Sequence, residues 1–522
     1  MNSYASQALE EYNTLTVRPG GVNGNPFWNV NAMQFTYAPS FYFPTLPNGG
    51  ARGVLFTATD KNGDTHTFRG DSATAALTPI WSELPTGVVT LKAEALDKNG
   101  CVSYLLGVRT FFKCSPFPGR ENLPAKDRPY RDAAMLAFRY VFTDSVCQHW
   151  LKEGKPDPEF PLNVYPAKTF GSVINAMLAY AKLSPESADE AMQIAKAAAD
   201  YMIAISYGED SPLCGLPPTY YYADLNVEKV RGVAPAAEER KDTVMLIYPA
   251  EAGNAYLALF EATGEQKYFD AATRIAAYYR EHVQPNGNWY LQISAITGQP
   301  AGENFCNYII ILKFLTNMYN HTGDDVWRTL GRNYFAYLKE RTIERFNWEA
   351  QFEDSPVCAN YDNLSHVNAN EMIEYLLLHE RDMPGALETA TELMRFVEDQ
   401  FVVWGEYPPW MEDWNPDAPL PLPSPASLEQ YACYWPIDAC TCMSMVSFLY
   451  MYQATGNRLY YEKAAALGDK ITRMQYADSG AIPTFWLPIK RTGELLQFWL
   501  NCHIASAFAL GKLAEAAEEI EA

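Results

Sequence analysis

The chain has 522 residues, a formal net charge of −22 and no basic run, which argues against a polyanionic partner such as nucleic acid. Hydrophobic residues at 48% and charged residues at 20% describe a globular protein, and the length exceeds one ordinary core, so two domains are expected. No run of 18 apolar residues occurs, so no membrane-spanning helix is expected, while aromatics at 14% exceed what a core requires.

Residues 1–115 read as short strands of a β-sandwich. "NAMQFTYAPSFYF", "RGVLFTATD", "THTFRG", "GVVTLKAEALD" and "VSYLLGVRTFFK" are β-branched or aromatic and partly alternating. Asn-Gly turns in "DKNGD" (Asp60–Asp64) and "DKNG" (Asp97–Gly100) separate them. The stretch "LPTGVVTLKAEALDKNGCVS" resembles the late strands of fibronectin type III-like domains. Residues 116–128 form a proline-rich linker.

From residue 129 to 522 the chain is helical and repeats. One set of helices is apolar all round: Thr169–Lys182, Ala250–Ala262, Asn304–Tyr319, Ala369–His379, Ile437–Ala454 and Trp499–Ala516. A second set is charged on one side: Arg131–Leu151, Ala188–Ile205, Lys267–His282, Val326–Phe346, Leu387–Val402 and Leu459–Gln475. The sets alternate, which predicts inner and outer helices. The joints "EATGEQKYFDAA", "NHTGDDVWRTL" and "QATGNRLYYEKAA" place Gly264, Gly323 and Gly456 where a helix end takes a left-handed residue. Six such pairs predict a mainly α fold, an (α/α)6 toroid preceded by the small β-sandwich. Here the chain resembles the six-hairpin glycosidase superfamily, which implies a carbohydrate-active enzyme.

The joints from inner to outer helices are short, whereas those from outer to inner are long and lie on one face. The long loops hold the aromatic excess, including Tyr221, Trp289, Trp348, Trp410, Trp414 and Trp486. Aromatic faces stack on sugar C–H groups while neighbouring amides and carboxylates bind hydroxyls. These residues, with Asn304, Asn370 and Trp435, are the expected substrate contacts.

The phrase Tyr-Pro-Ala recurs before inner helices, and two residues after its proline stand Lys168, Glu251 and, in the looser third copy, Asp438. An acid in the first helical turn complements the helix dipole, which accounts for Glu251 and Asp438 without chemistry. It does not account for Lys168. The second and fifth inner helices are opposite in a ring of six, which places Glu251 and Asp438 ~6–10 Å apart across a funnel. An inverting glycosidase separates its two carboxyl groups by about 6.5–9.5 Å. The expected roles are Asp438 as general acid, beside Tyr434 and Trp435, and Glu251 as base, kept ionised by Lys168.

A competing cluster is "NYDNLSHVNANE", Asn360–Glu371, with Tyr361, His366 and Asn370. As a capping cluster it needs no function; as a site it suits a uronate lyase, with Tyr361 or His366 as base and acid and Arg231, Arg240 or Arg491 as the missing cation. "QFEDSP" (Gln351–Pro356) and "MEDW" (Met411–Trp414) are alternative sources of an acid. His503 reads as a core histidine. A non-catalytic glycan-binding protein is the third reading.

No cofactor or metal is expected: the ten cysteines show no zinc spacing, and Cys433, Cys440, Cys442 and Cys502 read as buried thiols. The expected partner is a carbohydrate, with no membrane; the oligomeric state is not legible. The start "MNSYASQALEEYN" lacks the features of a signal peptide, so a cytoplasmic location is expected, unless a removed leader makes the protein periplasmic or secreted.

Overall fold

The computed structural model describes residues 3–17, 31–44, 51–223, 240–353, 357, 361–410, 424–431, 433–486 and 499–521. Its first element is a helix, α1 (Tyr4–Thr14), where strands were expected. Ser3 caps it by accepting from the Ser6 amide, and Ala8 and Tyr12, four apart, form its buried face.

A five-stranded sheet follows in the order β1-β7-β6-β3-β4, with β1 Gln34–Phe35, β3 Gly53–Thr59, β4 Thr65–Gly70, β6 Gly87–Leu96 and β7 Val102–Lys113. Strict alternation on β3 buries Val54, Phe56 and Ala58 on one face, and β6 does the same with Val89, Leu91 and Ala93. That face is covered by a two-stranded ribbon, β2 (Ser40–Tyr42) with β5 (Thr74–Ala76), and by a short helix, α2 (Thr78–Trp81). Phe41 and Trp81 pack on Phe111 with ring centroids 5.4 and 6.1 Å away. The second layer is therefore thinner than a full sandwich sheet.

The helical part contains inner helices α5 (Pro166–Leu183), α7 (Ile247–Thr263), α9 (Ile310–Thr322), α11 (Val367–His379), α13 (Asp438–Thr455) and α15 (Leu500–Glu521). Outer helices are α3 (Tyr130–Thr143) continued by α4 (Ser145–Glu153), α6 (Ala188–Ala204), α8 (Gln266–His282), α10 (Asp325–Leu338), α12 (Ala386–Phe401) and α14 (Arg458–Met474). Neighbouring inner helices pack in sequence, and α15 closes onto α5. Between α9 and α11 the link is ionic, Lys313 Nζ to Glu374 Oε2 at 2.5 Å. The result is the closed (α/α)6 toroid.

Local chemistry sets this geometry. Gly264, Gly323 and Gly456 end α7, α9 and α13 with φ of 70°, 67° and 69°, the left-handed region that glycine enters without penalty. Gly253 lets α7 approach α9, because a Cβ there would lie 2.4 Å from the Phe314 ring. The long loops on the inner helices' N-terminal face are braced by small sheets: β8 (Thr243–Met245) with β9 (Gln292–Ser294), and β10 (Val402–Val403), β11 (Ala426–Gln430) and β12 (Cys433–Pro436).

The sheet region is fastened to the outer helices by buried polar contacts. Glu398 on α12 accepts from Tyr12 (2.5 Å), Tyr37 (3.1 Å) and Trp404 (3.0 Å), and pairs with Lys463 of α14 at 2.8 Å. Asp399 accepts from the Thr36 and Tyr37 amides, both at 2.7 Å.

Candidate active site

A cavity of about 310 Å³ opens where the inner helices begin, within the size range of small-ligand sites. Every inner helix, or the turn leading into it, contributes: Lys168 and Ser172, Tyr248 and Glu251, Tyr308 and Ile310, Glu371, Cys440 and Met443, Asn501 and Cys502. Phe352 and Glu429 complete it from the loops. Lys168 and Ser172, Tyr248 and Glu251, and Cys440 and Met443 stand three or four apart, the inward stripe of their helices.

Lys168 Nζ lies 2.6 Å from Glu353 Oε1 and 4.9 Å from the centre of the Trp499 ring. The Tyr248 hydroxyl donates to the other oxygen of Glu353. Tyr220 and Arg240 donate to the Glu353 carbonyl at 2.9 and 3.1 Å, so this loop residue is held from several sides. Sequence reasoning named Glu353 only as an alternative acid within "QFEDSP", and paired Lys168 with Glu251 instead.

Burial pushes the Glu251 carboxyl up to about 8; Lys168 pulls it down by less, and Glu353 and Glu371 push it further up. Burial also raises Glu371, against the pull of Lys313. Tyr308 is 9% exposed, lines the cavity, and its hydroxyl has no hydrogen-bond partner among the described residues. Burial, and then the charges of Glu371, Glu353, Glu429 and Glu251, push its phenol well above the ordinary range. A second cavity of about 220 Å³ lies further along the inner helices and shares Glu371, Met443 and Ala505 with the first. There Lys313, Lys512 and the Tyr450 hydroxyl gather on Glu374 and hold its carboxyl at about 2.

Several expected residues lie elsewhere. Asp438 is absent from the cavity lining and fully buried; its Oδ2 accepts from Ser506 of α15 at 2.9 Å. The cavity face of α13 is Ala439, Cys440 and Met443, and at ~100° per residue Asp438 is turned ~140° from its centre. The repeated phrase is the reason for the misreading. The residue two after its proline is the third of α5, the fifth of α7 and the first of α13, so the copies enter their helices in different registers. Burial does hold the Asp438 carboxyl well above its ordinary range.

Tyr361 and His366 also point away from catalysis. The Tyr361 hydroxyl donates to the Arg345 carbonyl at 2.7 Å, and the residue sits at φ 63°. His366 is fully buried, its Nδ1 is 2.6 Å from Asn370 Nδ2, and burial lowers its pKa to about 3. Asn370 lines the second cavity rather than the first. His503 is a core histidine, between the Ala137 carbonyl and the Ile482 amide.

Among the expected aromatics, Trp289, Trp348 and Trp486 have no exposed surface, so no sugar can stack on them; the Trp289 and Trp486 indoles donate to the Tyr279 and Pro483 carbonyls. Trp410 packs on Phe112 of β7 at 6.1 Å, and Trp435 on Phe485 at 5.6 Å. Tyr221 packs beside Tyr201 of α6, while its neighbour Tyr220 reaches the site. Asn304 uses its carbonyl to accept from the Leu291 amide at 2.7 Å. Trp414, Glu412, Asp413, Asn360, Arg231 and Arg491 lie outside the described residues. Reading the sequence missed Tyr248, Tyr308, Glu429 and Trp499. Tyr248 carried a signal, as the tyrosine of the repeated Tyr-Pro-Ala phrase.

No family model and no curated protein matches the chain. Among solved structures, D-mannose isomerase superposes with a TM-score of 0.52 at 11% identity, over 74% of this chain and 97% of that one. Cellobiose 2-epimerase from Spirochaeta thermophila DSM 6192 gives 0.46 at 12% identity, over 76% and 100% of the two chains. A family 76 glycoside hydrolase from a bovine Bacteroides thetaiotaomicron strain gives 0.45 at 9%, over 93% and 98%. At these identities the likeness is one of fold alone, the (α/α)6 toroid.

Proposed function

We propose that the chain is a glycoside hydrolase that uses two carboxyl groups of the central cavity to cleave an oligo- or polysaccharide with inversion. The observation that carries this reading is the lining itself: Glu251, Glu371 and Glu429 with Tyr248, Tyr308 and Phe352, and no histidine among the described lining residues. Glu251 is the general acid. Its carboxyl keeps its proton to about pH 8, as a group that must protonate a leaving oxygen at neutral pH requires. Glu429 is the base that activates water, because it enters from the approach to α13, the helix opposite α7 in the ring. Tyr308 is positioned to bind a sugar hydroxyl between them.

Sugar isomerisation is the second reading, favoured by the superposition on D-mannose isomerase. It needs a group able to move a proton on and off carbon; the buried His366 and His503 are not among the cavity residues, so a glutamate such as Glu251 would have to do this. The lyase reading loses Tyr361 and His366 for the same geometric reason. A panel of oligo- and polysaccharides, assayed for new reducing ends and for absorbance near 235 nm, tests the proposal. Reducing ends without absorbance support hydrolysis. Absorbance signifies a lyase, and conversion of mannose to fructose without bond cleavage signifies an isomerase.

A further inference from the structure

A second cleft lies on the loop face outside the ring, between α8 and α10. It encloses about 760 Å³, more than twice the central cavity. Its polar lining includes Gln284, Asn286 and Asn333, and its aromatic lining is Phe305 and Tyr337. The two rings are 5.9 Å apart and tilted by 53°, and Phe305 is held from behind by Tyr290, which stacks on it at 4.7 Å. Glu340 and Arg341 complete the cleft and pair with each other at 3.1 Å, so this pair brings no net charge.

The cleft is built rather than incidental. The turn Gln284–Asn288 closes on itself, with the Gly287 amide donating to Gln284 at 2.9 Å. Gly287 stands at φ 80° against α10, and a Cβ would lie 2.9 Å from the Asn333 carbonyl oxygen, so only glycine allows this approach. On the other wall α10 runs into a π-helical turn, Lys339–Ile343, a feature that recurs at functional sites.

Two short segments join this cleft to the central cavity. Phe305 lines the cleft and Tyr308, three residues on, lines the cavity. Gln351 donates to the Phe305 carbonyl at 2.7 Å, and the next residue, Phe352, lines the cavity.

We propose that this cleft is a distal binding site for an uncharged stretch of glycan whose other end occupies the central cavity. Amides and a neutralised ion pair suit hydroxyls, and the separate ring faces of Phe305 and Tyr337 suit the faces of pyranose rings; a polyanion finds no net positive charge in this lining. The inference rests on the hydrolase reading and adds to it a preference for long, neutral chains.

The test uses the full chain and soluble neutral polysaccharides in affinity gel electrophoresis, beside kinetics on the same polymers and on a small aryl glycoside. Tyr337→Ala, and separately the exposed pair Asn333→Ala with Glu340→Ala, should reduce retardation at least fivefold. Each should raise KM for the polymer by a similar factor and leave kcat/KM on the aryl glycoside within twofold. The surface pair guards against misfolding of the Tyr337 variant. Unchanged retardation and polymer KM in both would overturn the distal site while leaving hydrolysis intact. A wild-type chain that binds and cleaves no glycan would overturn both.

Discussion

Lys168 Nζ and Glu353 Oε1 are 2.6 Å apart, and Lys168 is the partner of this loop carboxylate rather than of Glu251. The pairing ties the first inner helix to the loop before the fourth, and it leaves Glu251 under the weaker, through-space pull of the same cation.

Lys168→Met should therefore act twice. It strands Glu353, which has no exposed surface, and breaking such a pair costs about 3 kcal/mol, with Lys168 itself 18% exposed. Urea unfolding measures this loss. It also removes the charge that lowers the Glu251 pKa, so the alkaline limb of kcat/KM against pH should move up. An unmoved limb would mean that Glu251 is not the titrating acid.

The same shift predicts a pH-dependent stability. Glu251 holds its proton in the folded state up to about 8, whereas an unfolded glutamate releases it near 4.5. Between those values the folded state binds more protons, so this group's contribution to stability is fully present below about 4.5 and is lost as pH rises to about 8. Glu251→Gln should flatten that part of the melting-temperature profile relative to wild type. Parallel profiles would show that the carboxyl is not shifted.

Much of the toroid was legible because it repeats: six apolar helices, six one-sided helices, and glycines at Gly264, Gly323 and Gly456 that end inner helices. The lopsided loops likewise pointed to the face on which the central cavity opens. What the sequence could not supply was rotation about each helix axis. Glu251 and Asp438 follow the same proline, yet one faces the cavity and the other faces Ser506. Indole rings were equally ambiguous, since Trp289 and Trp348 fill the interior beneath the loops instead of lining a surface. Glu429 and Tyr308 were invisible, because nothing local distinguishes a cavity residue that is contributed by a strand or a turn.

Asp438→Asn should leave turnover within about threefold of wild type. The carboxyl is buried between α13 and α15, where burial favours its neutral form, so a neutral amide of the same shape fits. A loss of a hundredfold or more in kcat, with the fold intact by circular dichroism, would return the acid role to Asp438.

Glu398→Ala should loosen the sheet region from the toroid. It leaves Lys463 charged with no exposed side-chain surface, and strips partners from Tyr12, Tyr37 and Trp404. A destabilisation of about 3–5 kcal/mol is expected from urea titration. A change below ~1 kcal/mol would show that the contact is dispensable.

In the proposed reaction Glu251 delivers a proton to the leaving group from within a carboxyl-lined cavity. The direct measurement compares wild type with Glu251→Gln on a natural glycan and on a dinitrophenyl glycoside of the same sugar, whose leaving group needs no proton. The variant should lose about 10²–10⁴ in kcat on the glycan and keep near-normal rates on the dinitrophenyl glycoside. Equal rates for variant and wild type on the glycan, or an equal loss on both substrates, would contradict it.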